Sequence, residues 1–228
     1  MASSELPVFF FDIDNCLYSR NKRVHDMMKD LIRAYFREHL ELTPEDAQNL
    51  HEHYYEQYGL AIEGLVRHHK IDPIDYNRKV DDALPLEDVL SPDPALRELI
   101  EAIDTTKCRL WLFTNAYKTH GHRVIKLLGL EGLFGGMTFC DYEEFPLMCK
   151  PKPEAYERAM RDAGIADKSK CYFIDDSAWN CQAALEYGWP HVVHKLEPED
   201  SDPEFAHGKH HIRDISELKT VFPEIFKP

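Results

Sequence analysis

Asp12 and Asp14 stand two residues apart at the end of an apolar run, Val8-Phe9-Phe10-Phe11, where a carboxylate is costly unless it has a task. Thr114 and Asn115 close a second run, Leu110-Trp111-Leu112-Phe113. Asp175 and Asp176 close a third, Cys171-Tyr172-Phe173-Ile174. If the three runs lie side by side, four carboxylates and a hydroxyl meet in one small volume, and charges so crowded need a cation. A hard divalent ion that prefers oxygen ligands answers that need, so Mg2+ is the expected cofactor. Lys150, in Lys150-Pro151-Lys152-Pro153, is a candidate to offset the remaining charge.

The segments between these tips must bring them together. Runs that are apolar on both faces have the look of central parallel strands, and His191-Val192-Val193 is a fourth. Helical patterns follow at 118–128, 154–163 and 178–187. Strand, polar tip and helix in alternation predict an α/β fold: a Rossmann-like doubly wound parallel sheet that binds ligands beyond the carboxyl ends of its strands. Residues 18–95 break the alternation. Met27, Leu31, Ala34 and Tyr35 recur at helical spacing, Thr43-Pro44 has the form of an N-cap followed by Pro, and 54–65 places Tyr58, Ile62 and Leu65 on one side of a helix. The expected division is a core of residues 1–17 and 96–228 with an all-helical insertion, 18–95, after the first strand. Pro85, Pro92 and Pro94 mark its return to the sheet.

Composition narrows the function classes. Of 228 residues, 43% are hydrophobic and 30% charged, the profile of a soluble globular protein. No stretch approaches the roughly 20 apolar residues of a membrane span, and the first residues have no leader pattern, so a cytoplasmic or nuclear location is expected. With 41 acidic against 27 basic side chains the net charge is -14, which opposes binding to a nucleic acid polymer. A small phosphorylated ligand remains compatible, because a metal ion and a few cations can dominate a cleft. The six cysteines form no C-x-x-C pair and are expected to be free thiols. Residues 197–202 read as an acidic, proline-containing loop.

Four of these segments, in order, resemble the motifs of the haloacid dehalogenase-like hydrolase superfamily: Asp12-Ile13-Asp14-Asn15-Cys16-Leu17, Phe113-Thr114-Asn115, Lys150-Pro151, and Phe173-Ile174-Asp175-Asp176-Ser177 with Asn180. The helical insertion corresponds to that superfamily's cap. The resemblance implies that Asp12 attacks phosphorus to give an aspartyl-phosphate, and that Asp14 protonates the leaving oxygen and then deprotonates water. It implies that Thr114 and Asn115 hold phosphoryl oxygens and that Lys150 neutralises charge. Asp12, the backbone carbonyl of Asp14 and Asp176 would bind Mg2+, with Asp175 alongside and Asn180 behind them. Asp14 decides the reaction class, since the superfamily's dehalogenases lack an acid there. Two departures are Cys16, where the family usually has Thr, and Asn15, where it often has Gly.

Longer stretches, including Tyr58-Gly59-Leu60-Ala61-Ile62-Glu63-Gly64-Leu65 and Leu112-Phe113-Thr114-Asn115-Ala116-Tyr117-Lys118, are similar to the fungal pyrimidine 5'-nucleotidases, which hydrolyse UMP and CMP. That implies a nucleoside 5'-monophosphate as the small-molecule partner, with Arg23 and His25 as candidate substrate-binding residues. Other readings are a phosphatase acting on lysophosphatidic acid, a sugar phosphate or nicotinamide mononucleotide, and a non-catalytic binding module. His68 and His69 are expected at the surface.

Overall fold

The alternation within Val8–Phe11 decides what lies above and below the sheet. In the computed structural model, which describes residues 5–200 and 208–228, this run is strand β1, and all four of its residues are fully buried. Phe9 and Phe11 point into one apolar cluster and Val8 and Phe10 into another. Burial on both faces is why the run is continuously apolar.

The elements that follow β1 are helices α1 (Val24–Leu40), α2 (Pro44–Tyr58), α3 (Ala61–His69), α4 (Pro73–Lys79), α5 (Leu86–Val89) and α6 (Pro94–Glu101). The chain then enters β2 (Arg109–Phe113), α7 (Lys118–Leu127), β3 (Met137–Thr138), α8 (Pro153–Asp162), β4 (Cys171–Asp175) and α9 (Ala178–Tyr187). It finishes with β5 (His191–Lys195), β6 (His210–Ile212) and α10 (Leu218–Val221). The strands make one parallel sheet in the order β3-β2-β1-β4-β5-β6. β1 lies between β2 and β4, with Val8 opposite both Arg109 and Cys171. Side chains of α5, α6, α7 and α10 cover the Phe9 face, and those of α8 and α9 cover the Phe10 face, where Trp189 stacks on Phe10 at 4.7 Å. Among the described residues no helix is long and apolar enough to cross a membrane.

Two strands escape the sequence pattern, because β3 spans two residues and β6, His210–Ile212, is polar. Pro94 is the first residue of α6, the last helix before β2, and the Asp93 side chain caps that helix. The single helix expected over 54–65 is two: α2 stops at Gly59, which takes a left-handed φ of 81°, and α3 restarts at Ala61.

A third apolar cluster holds the helical insertion together through Ile32, Tyr35, Phe36, Tyr54, Ile62 and Leu65, and it also takes in Tyr142, Leu147 and Cys149 from the loop before Lys150. Gly64 is needed at the α2–α3 crossing, since a Cβ there would lie 2.2 Å from Cγ of Tyr54. Gly64→Ala is therefore expected to destabilise the fold by about 1–3 kcal/mol through overpacking, despite the roughly 1 kcal/mol that alanine gains in a helix. Denaturant unfolding of the two proteins measures this, and equal midpoints would mean that the two helices separate at no cost.

Candidate active site

The polar tips of β1, β2 and β4 converge because those strands are neighbours in register. At their centre is Lys150, 1% exposed. Its ammonium donates to Asp12 Oδ1 at 2.7 Å, Asp175 Oδ2 at 2.6 Å and the carbonyl of Phe113 at 2.7 Å. Burial works against the charge, but Asp12 and Asp175 more than offset it and hold the Lys150 pKa above its ordinary value. Asn115 fixes the backbone from which this side chain extends. Its amide nitrogen donates to the Lys150 carbonyl at 2.8 Å and its oxygen accepts the Lys150 N–H at 2.7 Å. The Asn115 amide expected on a phosphoryl oxygen is thus engaged at both ends by Lys150.

Asp175 is buried and saturated. Besides Lys150, it accepts from the Ser177 N–H at 2.8 Å and from Asn180 Nδ2 at 3.1 Å on each oxygen. Asp12, Asp175 and Asp176 offer carboxylate oxygens within 4.8 Å of one another. Among the described residues no hydrogen bond engages the Asp176 carboxylate. Burial, then the charge of Asp175, pushes the Asp176 pKa up to about 7, and burial with Asp175, Asp176 and Asp14 raises that of Asp12 despite Lys150. An all-oxygen donor set with one free carboxylate and uncompensated negative charge fits a hard divalent cation.

Asp14 lies outside that cluster. Tyr18 Oη donates to its Oδ1 at 2.6 Å, and His120 Nε2, which can only donate to a carboxylate oxygen, does so at 2.7 Å. Burial raises the Asp14 pKa, but the charge of His120 and these two bonds outweigh it and keep the carboxyl below its ordinary range. His120 is held above its own ordinary value: burial opposes this, and Asp14, then Asp81, prevails. Thr114 is buried and accepts the Ala116 N–H at 3.0 Å, which leaves its hydroxyl hydrogen for a ligand.

The two departures in the first loop have local explanations. Asn15 has φ 58°, a conformation that Gly adopts freely and Asn tolerates better than most residues. Its Oδ1 is buried without a partner, while its carbonyl accepts from Lys195 at 3.2 Å. The Cys16 thiol points at the carbonyl of Ile174 at 3.8 Å, across to β4. All six cysteines are free and buried.

Arg23 is not brought to the site. It is exposed and pairs with Asp26 at 3.0 Å, because it is the left-handed residue (φ 58°) that starts α1. His25, exposed one residue into α1, lies within the field of Asp14. His68 and His69 are exposed, and their Nε2 atoms lie 2.7 Å from the hydroxyls of Tyr58 and Tyr54.

Three features went unread in the sequence. His120 and Tyr18, which hold Asp14, are one. Glu63 is another: buried on α3, it pairs with Arg67 at 2.7 Å and with Lys152 at 2.5 Å, tying the insertion to the Lys150 segment. The third is Trp179, one of two exposed aromatics at the rim. Trp179, 79% exposed, precedes Asn180 at the start of α9; Tyr55, 55% exposed, lies on the last turn of α2, within the field of Asp176 and Asp175. Residues in the first turn of a helix after a polar strand tip, as His120 and Trp179 are, face the ligand end of such a sheet.

The haloacid dehalogenase-like hydrolase family model matches residues 6–188. Phosphate metabolism protein 8 of Saccharomyces cerevisiae is 37% identical over 238 residues, which span 97% of this chain and 74% of that protein. Among solved structures, CbbY of Rhodobacter sphaeroides in complex with phosphate superposes with a TM-score of 0.63 at 17% identity, covering 94% of this chain and 96% of that one. A HAD phosphatase from Thermococcus onnurineus gives 0.58 at 16% identity, covering 95% and 98%. At such identities the structures speak for the fold alone. The family match and the yeast relative go further, and on them the chain belongs to the haloacid dehalogenase-like hydrolases.

Proposed function

We propose that the chain is a magnesium-dependent phosphatase of phosphate monoesters that forms an aspartyl-phosphate on Asp12, and that its substrate is a nucleoside 5'-monophosphate, with preference for UMP and CMP. The observation that carries the phosphatase reading is Asp14: a carboxyl held beside the nucleophile yet outside the acidic cluster, as a leaving oxygen needs and a halide does not. In this reading residues 18–95 are a cap over a core of 1–17 and 96–228.

Asp12, Asp176 and the backbone carbonyl of Asp14 would hold Mg2+, with Asp175 beside it. When bound, the ion neutralises negative charge on the carboxylates and on the transferring phosphoryl group. Lys150 orients Asp12 and shares that task. The Thr114 hydroxyl binds a phosphoryl oxygen, and Asn115 keeps Lys150 in place. Against burial, the charge of His120 and the bonds from His120 and Tyr18 favour the carboxylate form of Asp14, so the proton that it donates is first taken up from solvent. The arrival of a phosphate dianion, a further negative charge nearby, raises its affinity for the proton that it must donate.

For a nucleotide, the support is the resemblance to pyrimidine 5'-nucleotidases together with the rim aromatics Trp179 and Tyr55, which can stack on a base. Phosphate release from UMP, CMP, AMP, sugar phosphates and lysophosphatidate, each with Mg2+ and with chelator, tests both levels. UMP and CMP are expected to lead and chelation to abolish release. If UMP and CMP ranked last, the nucleotide reading would fail and the phosphatase reading would survive; release undiminished by chelator would remove the metal. Trp179→Ala is expected to raise KM for UMP about tenfold, the worth of one base stack, without changing KM for ribose 5-phosphate. Equal shifts for both substrates would rule out stacking.

A further inference from the structure

Two hydrogen bonds from separate segments end on the same oxygen of Asp14. Tyr18, four residues downstream, and His120, from the first turn of α7, both donate to Oδ1, at 2.6 and 2.7 Å. Among the described residues no hydrogen bond reaches Oδ2. His120 is 1% exposed and Tyr18 7%, so neither donor is easily replaced by water. A carboxyl oxygen that already accepts an N–H and an O–H is a poor seat for a proton, because a third hydrogen there would have to displace one of them. The proton exchanged with a substrate therefore belongs on Oδ2.

We propose that His120, with Tyr18, is a positioning residue that clamps Asp14 so that Oδ2 alone serves the leaving oxygen and then the water. This rests on the phosphatase reading above. In the first step an Asp12 carboxylate oxygen forms its bond to phosphorus while the bond from phosphorus to the leaving oxygen breaks. The electron pair of that bond stays on the leaving oxygen, which takes the proton from Oδ2. In the second step Oδ2 removes a proton from water as the water oxygen bonds to phosphorus, and the Asp12 oxygen departs with its electron pair. His120 exchanges no proton in either step; it contributes direction.

A clamp of this kind matters in proportion to the leaving group's need for a proton. An alkoxide, such as the 5'-oxygen of a nucleoside, needs one, whereas p-nitrophenolate leaves without it. His120→Ala is thus expected to lower kcat on the best alkyl phosphate by about 100-fold, the order lost when a proton-transfer group is misaligned, with little change in KM. On p-nitrophenyl phosphate the loss in kcat/KM, which covers the first step and not the water step common to all substrates, should be no more than a few-fold. His120→Gln, whose amide nitrogen can reach the place of Nε2, should restore most of the lost kcat. Tyr18→Phe removes a donor without changing volume and should show the same split, which keeps the test open if His120→Ala does not fold. Equal losses of kcat/KM on both substrates, or no loss on either, would overturn the clamp. Asp12→Asn, run alongside, separates the two levels: activity that survives it sinks the aspartyl-phosphate mechanism on which the clamp rests, whatever His120 does.

Discussion

Asp12→Asn is expected to abolish phosphate release, by roughly 10^4-fold or more, because an amide cannot attack phosphorus and the remaining groups only bind and polarise. The fold should survive. Asn has nearly the shape of Asp, Lys150 keeps its bonds to Asp175 and to the Phe113 carbonyl, and one of the crowded negative charges is gone. Wild-type protein mixed with substrate and quenched in acid should retain hydroxylamine-labile phosphate, and the variant none. A folded variant with wild-type turnover would show that Asp12 is not the nucleophile.

Lys150→Met is expected to damage stability as well as rate. The ammonium is buried between two carboxylates, and removing one partner of a buried ion pair costs about 3–5 kcal/mol, since the other partner is left uncompensated. For a chain of this length that corresponds to a melting temperature lower by roughly 10–15 °C. Mg2+ should recover part of the loss, as it supplies positive charge to the same carboxylates, so the variant should be stabilised by Mg2+ more than the wild type. Thermal unfolding of both proteins with Mg2+ and with chelator decides the matter. A shift under about 2 °C would mean that the lysine is not what compensates Asp12 and Asp175.

The core of this arrangement was legible in the sequence because parallel strands buried on both faces leave a plain signature. Continuous apolar runs ending in Asp12, Thr114 and Asp175 fixed three strands, and their adjacency followed from the fold class. The helices over 118–128, marked by the apolar face of Val124, Leu127 and Leu128, over 154–163, marked by Pro153 before it, and over 178–187 are each found within one residue of their expected bounds. What escaped was of another kind. β3 and β6 are too short or too polar to leave a pattern, and Gly59 breaks a helix whose apolar spacing runs on without interruption. His120 bonds a residue 106 positions away, and Lys152 reaches Glu63 across 89. Such partnerships exist only once the sheet has formed. Arg23 was drawn toward the site by closeness in sequence to Asp14, but a left-handed residue between the loop and α1 turns its side chain to solvent and Asp26.

The position of β1 between β2 and β4 has a consequence for how the protein comes to be active. Val8 pairs with Arg109 on one side and Cys171 on the other, so the strand that carries Asp12 has no partner nearby in sequence. Helices such as α1 and α2 can form from local interactions, whereas both pairings of β1 require closing very long loops, the slow and entropically costly part of folding. Asp12, Lys150 and Asp175 meet only when both closures are complete. The cluster is thus a property of the finished topology: a chain with all its helices and one missing strand pairing would hold Asp12, Lys150 and Asp175 and never bring them together.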